Sequence, residues 1–300
     1  MPLLREEAEK LSNDTLESGV IDEIIDRDDL FAVLPFVQVN SKAYLYNRED
    51  TLAAADWIDP NEEIQESAST FTEVVAKLRI LAGDVDIDKF LDSTMGDTNS
   101  QMAIQVAKKA KGVARQFHQT LATGDTATTP KSFDGIAKLV TAEQTISMGP
   151  DGGALTLAKL DELVDLIPLG PDVLVMRRGT IRAFRSLLRA TYGTDAVMQQ
   201  LENFGRPMLT HNGIPIIMNE FLAANEAQGA ATQTCSVYAV RLNEADGLHG
   251  LYGGSSAGIV VENIGTVQNK DATRIRLKWY CGLALKSTRS LARLKGVTNI

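Results

Sequence analysis

Cysteine is almost missing from this 300-residue chain: Cys235 and Cys281 each sit inside an apolar, strand-like run, without a CxxC partner or a histidine-rich neighbourhood. A disulfide framework or thiolate metal site needs paired spacings, so two buried free thiols in a reducing cytoplasm are expected. Histidine is as scarce. His118, His211 and His249 lie far apart and form no HExxH-type pair, which reads as surface or helix-end residues rather than metal ligands. Base falls short of acid, with 30 Lys and Arg against 39 Asp and Glu and a formal net charge of −9. A tight nucleic-acid binder needs clustered Lys and Arg, so that class is set aside. Long apolar runs are missing too, and the opening MPLLREEAEKLSND is charged throughout. Neither a membrane span nor a signal peptide is expected, and the product is read as soluble and cytoplasmic.

What is present suffices for a sizeable core: 44% of residues are hydrophobic and 23% charged, enough for one large or two modest domains. Residues 1 to 35 read as acidic helical turns, with Val20, Ile21, Ile24, Ile25, Leu30 and Phe31 forming a thin apolar stripe that ends near Pro35. VQVNSKAYLYNRED alternates as a strand. After the acidic connector DTLAAADWIDPNEEIQES, a second strand-like run returns in STFTEVVAKLRILAG. Together they predict a long two-stranded arm, which must rest on something else because an isolated ribbon is marginal in water.

The longest helical signal runs from Ser100 to about Ala122, where Ile104, Ala107, Lys108, Lys111, Ala114, Arg115 and His118 step at helical spacing. Asp97 or Thr98 would cap it and Gly124-Asp125 would close it. LTLAKLDELVDLI then predicts a helix over about 155–167. DVLVM, GIPIIMNEFL and CSVYAVRL predict strands, and TIRAFRSLLRATYG a helix. The end of the chain reads as two long strands, 258–268 and 273 to about 286, joined at Asn269-Lys270-Asp271. The fold class is α+β.

Catalytic motifs fail on context. Gly254-Ser255-Ser256-Ala257-Gly258 fits G-x-S-x-G, but a strand-like run follows it where a helix is needed, and no histidine lies C-terminal to Ser256. Asp84-Val85-Asp86-Ile87-Asp88 resembles the start of a calcium loop, yet Lys89 stands at position six and Met95 at twelve. A solvated strand edge leading into a helix cap is the reading taken. The Gly247–Gly258 segment lacks a GK[ST] ending and opens no helix, so it is no phosphate loop. An α/β enzyme would have to draw on Arg177, Arg178, Asn219 and Glu220, which are also ordinary surface types. No catalytic residue, cofactor or metal site is assigned.

The order of these segments resembles the HK97-like major capsid proteins of tailed bacteriophages over nearly the whole chain. TEVVAKLRILAGDVDIDKFL, then NSQMAIQVAKKAKGVARQFHQTLATGD and TPKSFDGI, are similar to that family's E-loop return strand, spine helix and following loop. DVLVMRRGTIRAFRSLL with GIPIIMNEFL is similar to its axial-domain strand, helix and strand. RIRLKWYCGLALKSTRSLARLKGV is similar to its terminal peripheral-domain strand. The resemblance implies an N-arm at 1–43, an E-loop hairpin at 44–81 and an axial domain at 165–257. The peripheral domain would be split between 82–164 and 258–300, with the spine helix at about 100–122 and a P-loop at about 268–273.

It also implies a non-enzymatic subunit whose copies close into pentamers and hexamers around packaged double-stranded DNA, assembled in the host cytoplasm. A separate scaffolding protein, a portal and a decoration protein are the further partners it implies. Tyr44, Tyr46 and Trp57 become candidate anchors on a neighbour, because aromatics bury large area at low rotamer cost. The alternative is that they pack on their own subunit. Arg48, Glu49, Glu62 and Glu63 would set register against a neighbour's charges, and Asn269, Lys270 and Asp271 would meet their equivalents at threefold positions. Some relatives cross-link Lys to Asn, but no lysine lies between Lys42 and Lys77, so a noncovalent shell is expected. The acidic balance reads as a wall that barely touches phosphate. An encapsulin compartment shell is the nearest alternative.

Overall fold

The computed structural model describes residues 28–94, 101–192, 198–200, 207–254 and 257–299. The expected stripe at Val20–Ile25, the caps Asp97 and Thr98, and Ser255 and Ser256 lie outside them. In chain order the elements are α1 (Leu30–Val33), β1 (Phe36–Gln38), β2 (Ala43–Thr51), β3 (Thr70–Lys77), β4 (Arg79–Asp88), α2 (Lys89–Thr94) and α3 (Gln101–Thr123). There follow α4 (Ile136–Leu139), β5 (Thr145–Ser147), α5 (Leu157–Asp165), β6 (Val173–Met176), α6 (Arg178–Tyr192), β7 (Met198–Gln200), β8 (Pro207–His211) and β9 (Ile214–Met218). The last are β10 (Glu226–Gln228), β11 (Ala231–Val240), β12 (Leu248–Tyr252), β13 (Val260–Thr266), β14 (Ala272–Leu285) and β15 (Leu291–Val297).

β14 is the axis of the first sheet. One edge pairs antiparallel with β4 from Ala272↔Asp88 to Cys281↔Arg79. The other edge takes β13 at its start and β12 at its end, and β1 adds parallel to β12. Strict period-two alternation sorts the faces: Ile275, Leu277, Trp279, Cys281, Leu283 and Leu285 are buried, while Arg274, Arg276, Lys278 and Tyr280 turn the other way. α3 lies on the apolar face. Its 23 residues span about 34 Å by rise per residue, and Met102, Val106, Ala110, Val113, Phe117 and Leu121 form the covered stripe. This is a different stripe from the Ile104 to His118 steps picked out in the sequence. Phe117 stacks 4.3 Å from Trp279 and lies 5.7 Å from Phe31 and 5.5 Å from Phe133, so α1, α3 and β14 share one aromatic cluster.

The second sheet runs β5-β15-β11-β6-β9-β8-β7, with β10 on β11. Leu160 and Leu163 of α5 and Phe184 and Leu188 of α6 pack on one face against Leu174, Met176, Val237 and Ala239. The opposite face, carrying Val173, Val175, Ile217 and Val240, joins the core at the C-terminal end of α3.

Strand pairing does not follow chain order. β12 falls in the expected axial stretch 165–257 but sits in the first sheet, while β5 and β15, from the expected peripheral stretches, sit in the second. The 3-10 turn Thr288–Ser290 releases the chain from β14, and the alternating LARLKGV then pairs with β11 from Val240↔Leu291 to Cys235↔Val297. Each run expected as one arm strand is also divided: β1 and β4 belong to the first sheet, and only β2 and β3 project as the hairpin.

Candidate functional site

β2 and β3 pair only with each other, from Ala43↔Lys77 to Thr51↔Thr70. Two strands cannot cover both of their faces, and the consequence is visible on this ribbon. Trp57 is fully exposed at 103%, and Leu45, Leu52, Ile58, Ile64, Phe71 and Val75 are exposed as well. So many exposed apolar side chains on one projecting element make it a candidate interaction surface. At the tip the Asp59 N–H donates to Glu62 Oε2 at 2.8 Å and the Glu62 N–H donates back to the Asp59 carbonyl at 3.1 Å, while Asn61 takes the left-handed φ of 74° that the turn requires. Glu49 and Glu63 are exposed.

The root of the hairpin behaves differently. The Tyr46 hydroxyl donates to the Leu285 carbonyl at 2.6 Å, and Arg48 donates through Nε to the Lys286 carbonyl at 2.6 Å and through its second amine to Leu285. These carbonyls lie where β14 ends and ladder partners run out, so side chains satisfy them. Tyr44 packs over Val39, Leu251 and Ala284, edge-on to the His249 ring at 5.7 Å. Tyr44, Tyr46 and Arg48 thus have contacts within their own chain, whereas Trp57, Glu49 and Glu63 face solvent.

Asn269, Lys270 and Asp271 form the exposed turn between β13 and β14. Asp271 is tied to the start of α2, accepting the Lys89 N–H at 3.0 Å through its carbonyl and the ammonium at 3.4 Å through its carboxylate. This turn and the hairpin root lie at opposite ends of β14, about 43 Å apart at 3.3 Å per residue.

On the outer face of the first sheet, Arg274 grips Asp86 through two bonds of 2.6 and 2.7 Å, and Arg276 grips Asp84 through two of 2.8 and 2.9 Å. These guanidinium hydrogen bonds hold both carboxyls below their ordinary range. Asp88 Oδ1 accepts the Phe90 N–H at the start of α2. All three acids of the calcium-like run are thus engaged in the strand edge and cap.

The histidines correct the expectation of surface positions. His211 and His249 are buried, and His118 is half-buried with Nδ1 2.6 Å from Asp28 Oδ2. His211 Nε2 meets Asp161 at 2.8 Å. His249 has its Nε2 without a partner, and burial pushes its pKa down. Each histidine follows an apolar or strand-pattern position whose inward side the sequence alone does not reveal. Burial drives the Cys235 and Cys281 thiols up to about 11 and about 12. Among the described residues no group of three or more His, Cys, Asp or Glu is placed to hold a metal, and no helix is long and apolar enough to cross a membrane.

The polar groups that an α/β enzyme would need do converge, but on one another. Arg177 donates to the Glu220 and Leu222 carbonyls, Arg178 Nε lies 3.3 Å from Glu220 Oε1, and Asn219 donates to Asp28 while accepting the Phe221 N–H. One feature escaped the sequence reading. Arg178, Arg182, Arg185 and Arg189 recur at spacings of four, three and four, and all four are exposed on one face of α6; that period was the available signal.

The sequence matches the phage capsid family over residues 11–294. No curated protein matches it. Among solved structures, the chain is similar to the SrpI encapsulin of Synechococcus elongatus at TM-score 0.74 and 19% identity, covering 99% of this chain and 96% of that one. It is also similar to the capsid of a native GTA particle, at 0.68 and 14% with 95% of each chain covered. A structure of Mycobacterium phage Adephagia matches at 0.63 and 14%, with 98% of each covered. These identities establish the fold alone, which is the HK97-like α+β capsid fold. With a ribbon that cannot bury itself on such a fold, and with the family matched over most of the sequence, the chain belongs to the phage capsid family as a self-associating shell protein of the virion capsid.

Proposed function

We propose that copies of this chain close into pentamers and hexamers that tile an icosahedral shell around packaged double-stranded DNA. The observation that carries this is the hairpin: pinned at its root and carrying exposed apolar side chains among its acids, with Trp57 fully exposed, it is suited to be covered by a neighbouring copy. In this reading residues 1–43 are the N-arm and 44–81 the E-loop. Trp57, Glu49, Glu62 and Glu63 meet a neighbour, and Asn269, Lys270 and Asp271 meet their equivalents at threefold positions. The shell is noncovalent, because the hairpin carries no lysine between Lys42 and Lys77. A separate scaffolding protein, a portal and a decoration protein complete the particle, which assembles in the host cytoplasm.

Negative-stain electron microscopy of the chain, expressed alone and with its genomic neighbours, tests this. Closed shells or capsomer rings are the expected result, and a persistently monomeric protein would refute it. The likeness to the SrpI encapsulin favours a second reading, a protein compartment shell. Nuclease-protected DNA inside the particles selects the virion, and protein cargo selects the compartment.

A further inference from the structure

The arginine row on α6 lies on the face turned away from the core. Phe184 and Leu188 pin the helix to the second sheet, and the side bearing Arg178, Arg182, Arg185 and Arg189 faces out. No carboxylate occurs between Val173 and Thr194. Like charges three and four residues apart repel along a helix, and cations in its first turn oppose the helix dipole. Glu220, 3.3 Å from Arg178, offsets part of this cost within the chain.

We propose that this row seats the phosphate backbone of nucleic acid, an inference that rests on the reading of the chain as a shell around DNA. Three observations favour phosphate. Every member is Arg, whose planar fork grips phosphate bidentately. The row spans about 16 Å by helical rise, a length along which one strand of B-DNA presents about five phosphates.

The third observation is where the negative charge lies. Residues 49–76 hold eight carboxylates and no base, and residues 1–27 hold eight carboxylates against three bases, so the rest of the chain carries 27 bases against 23 acids. The net charge of −9 therefore does not describe a uniformly repelling wall. The rival occupant is the acidic ribbon 49–76 of a second copy. That ribbon interleaves its carboxylates with Leu52, Trp57, Ile58 and Ile64, and its partner must be apolar as well as basic. The exposed residues beside the row, Ser186 and Ala190, give no such floor.

The test is fluorescence anisotropy of a 30-bp duplex with the full chain across a salt series. The wild type is compared with the triple variant Arg182→Gln/Arg185→Gln/Arg189→Gln and with the corresponding triple Lys variant. The expected result is a salt slope shallower by about 3 in the Gln variant, at roughly 0.9 per phosphate contact, and largely retained in the Lys variant. An unchanged slope in the Gln variant overturns the proposal, as does displacement of the duplex by a synthetic peptide of residues 49–76. Electron microscopy of the same proteins separates the two readings. A wild type that forms no shells counts against the proposed function while the slope is still read. A Gln variant that folds but loses shells with duplex binding intact makes the row a subunit interface and overturns the inference.

Discussion

Replacing Arg48 by alanine should release the hairpin without unfolding the body. In the structure Arg48 supplies two charge-assisted hydrogen bonds to the carbonyls of Leu285 and Lys286, and Tyr46 supplies a third to Leu285. Hydrogen bonds to charged groups contribute about 1.5–3 kcal/mol net, and neutral ones about 0.5–1.5. Because this site is only partly buried, Arg48→Ala should cost about 2 kcal/mol and Tyr46→Phe about 1 kcal/mol. At 1.4 kcal/mol per tenfold, hairpin opening should increase about 30-fold and about 5-fold. Hydrogen exchange read by peptide reports this directly: amides of β2 and β3 should exchange faster by those factors while amides of β11 and β6 in the second sheet stay unchanged. Unchanged exchange in β2 would refute the claim that these bonds hold the hairpin. Equal acceleration in the second sheet would show that Arg48 supports the whole body instead.

Phe117→Ala should destabilise by about 3–5 kcal/mol, since the ring joins α1, α3 and β14; a urea midpoint lowered by much less would mean that the aromatic cluster refills the gap. His249 is buried and its pKa is held below the unfolded value of about 6.5. Its contribution is therefore intact above that pH and lost as pH falls towards the folded value, so His249→Gln should flatten the stability profile just below pH 6.5 in thermal melts. Asp84 and Asp86, depressed by Arg276 and Arg274, act lower down: their stabilisation is present above about pH 3.8 and lost beneath it, so Asp84→Asn should change melting at neutral pH but little at pH 2. The thiols of Cys235 and Cys281, raised to about 11 and about 12, should resist a thiol reagent at pH 8 until denaturant is added.

Strong local patterns were legible in the sequence. β14 alternates without interruption, and β6, β9, β11 and α6 announce themselves by apolar runs or helical period. On α3, Ile104-Lys108-Lys111-Arg115 and Met102-Val106-Val113-Phe117 both step at helical spacing, and it is the second, wholly apolar set that the sheet covers, as hydrophobic period alone would select. What was hidden depends on tertiary choice. The last strand reads as ending at about Lys286, and nothing in KSTRSLARLKGV says that a further strand joins the second sheet after Thr288–Ser290. The hairpin residues show the same limit. The alternation of Tyr44, Tyr46 and Arg48 fixes which face they share, but the partners of Tyr46 and Arg48 are carbonyls 237 to 239 residues away. Exposure of Trp57 was easier to anticipate, since the connector around it holds too few apolar residues to cover an indole.

The two surfaces that face outward are mechanically unequal. The turn at Asn269–Asp271 is fixed to α2 through Lys89 and to the body through β14. β14 in turn is paired along β4 with acids and arginines on one face and aliphatics on the other. A one-residue slip would drive Arg274 and Arg276 into the apolar core and Ile275 and Leu277 into solvent, so the register is locked. The strand then holds the Asn269–Asp271 turn and the hairpin root about 43 Å apart. At the root, three side-chain hydrogen bonds, the packing of Tyr44, Tyr46 and Ala76 and the Lys286 ammonium over the Tyr44 ring hold the ribbon. Bending of the hairpin relative to the body is therefore opposed by the contacts of Tyr44, Tyr46 and Arg48 rather than by the main core.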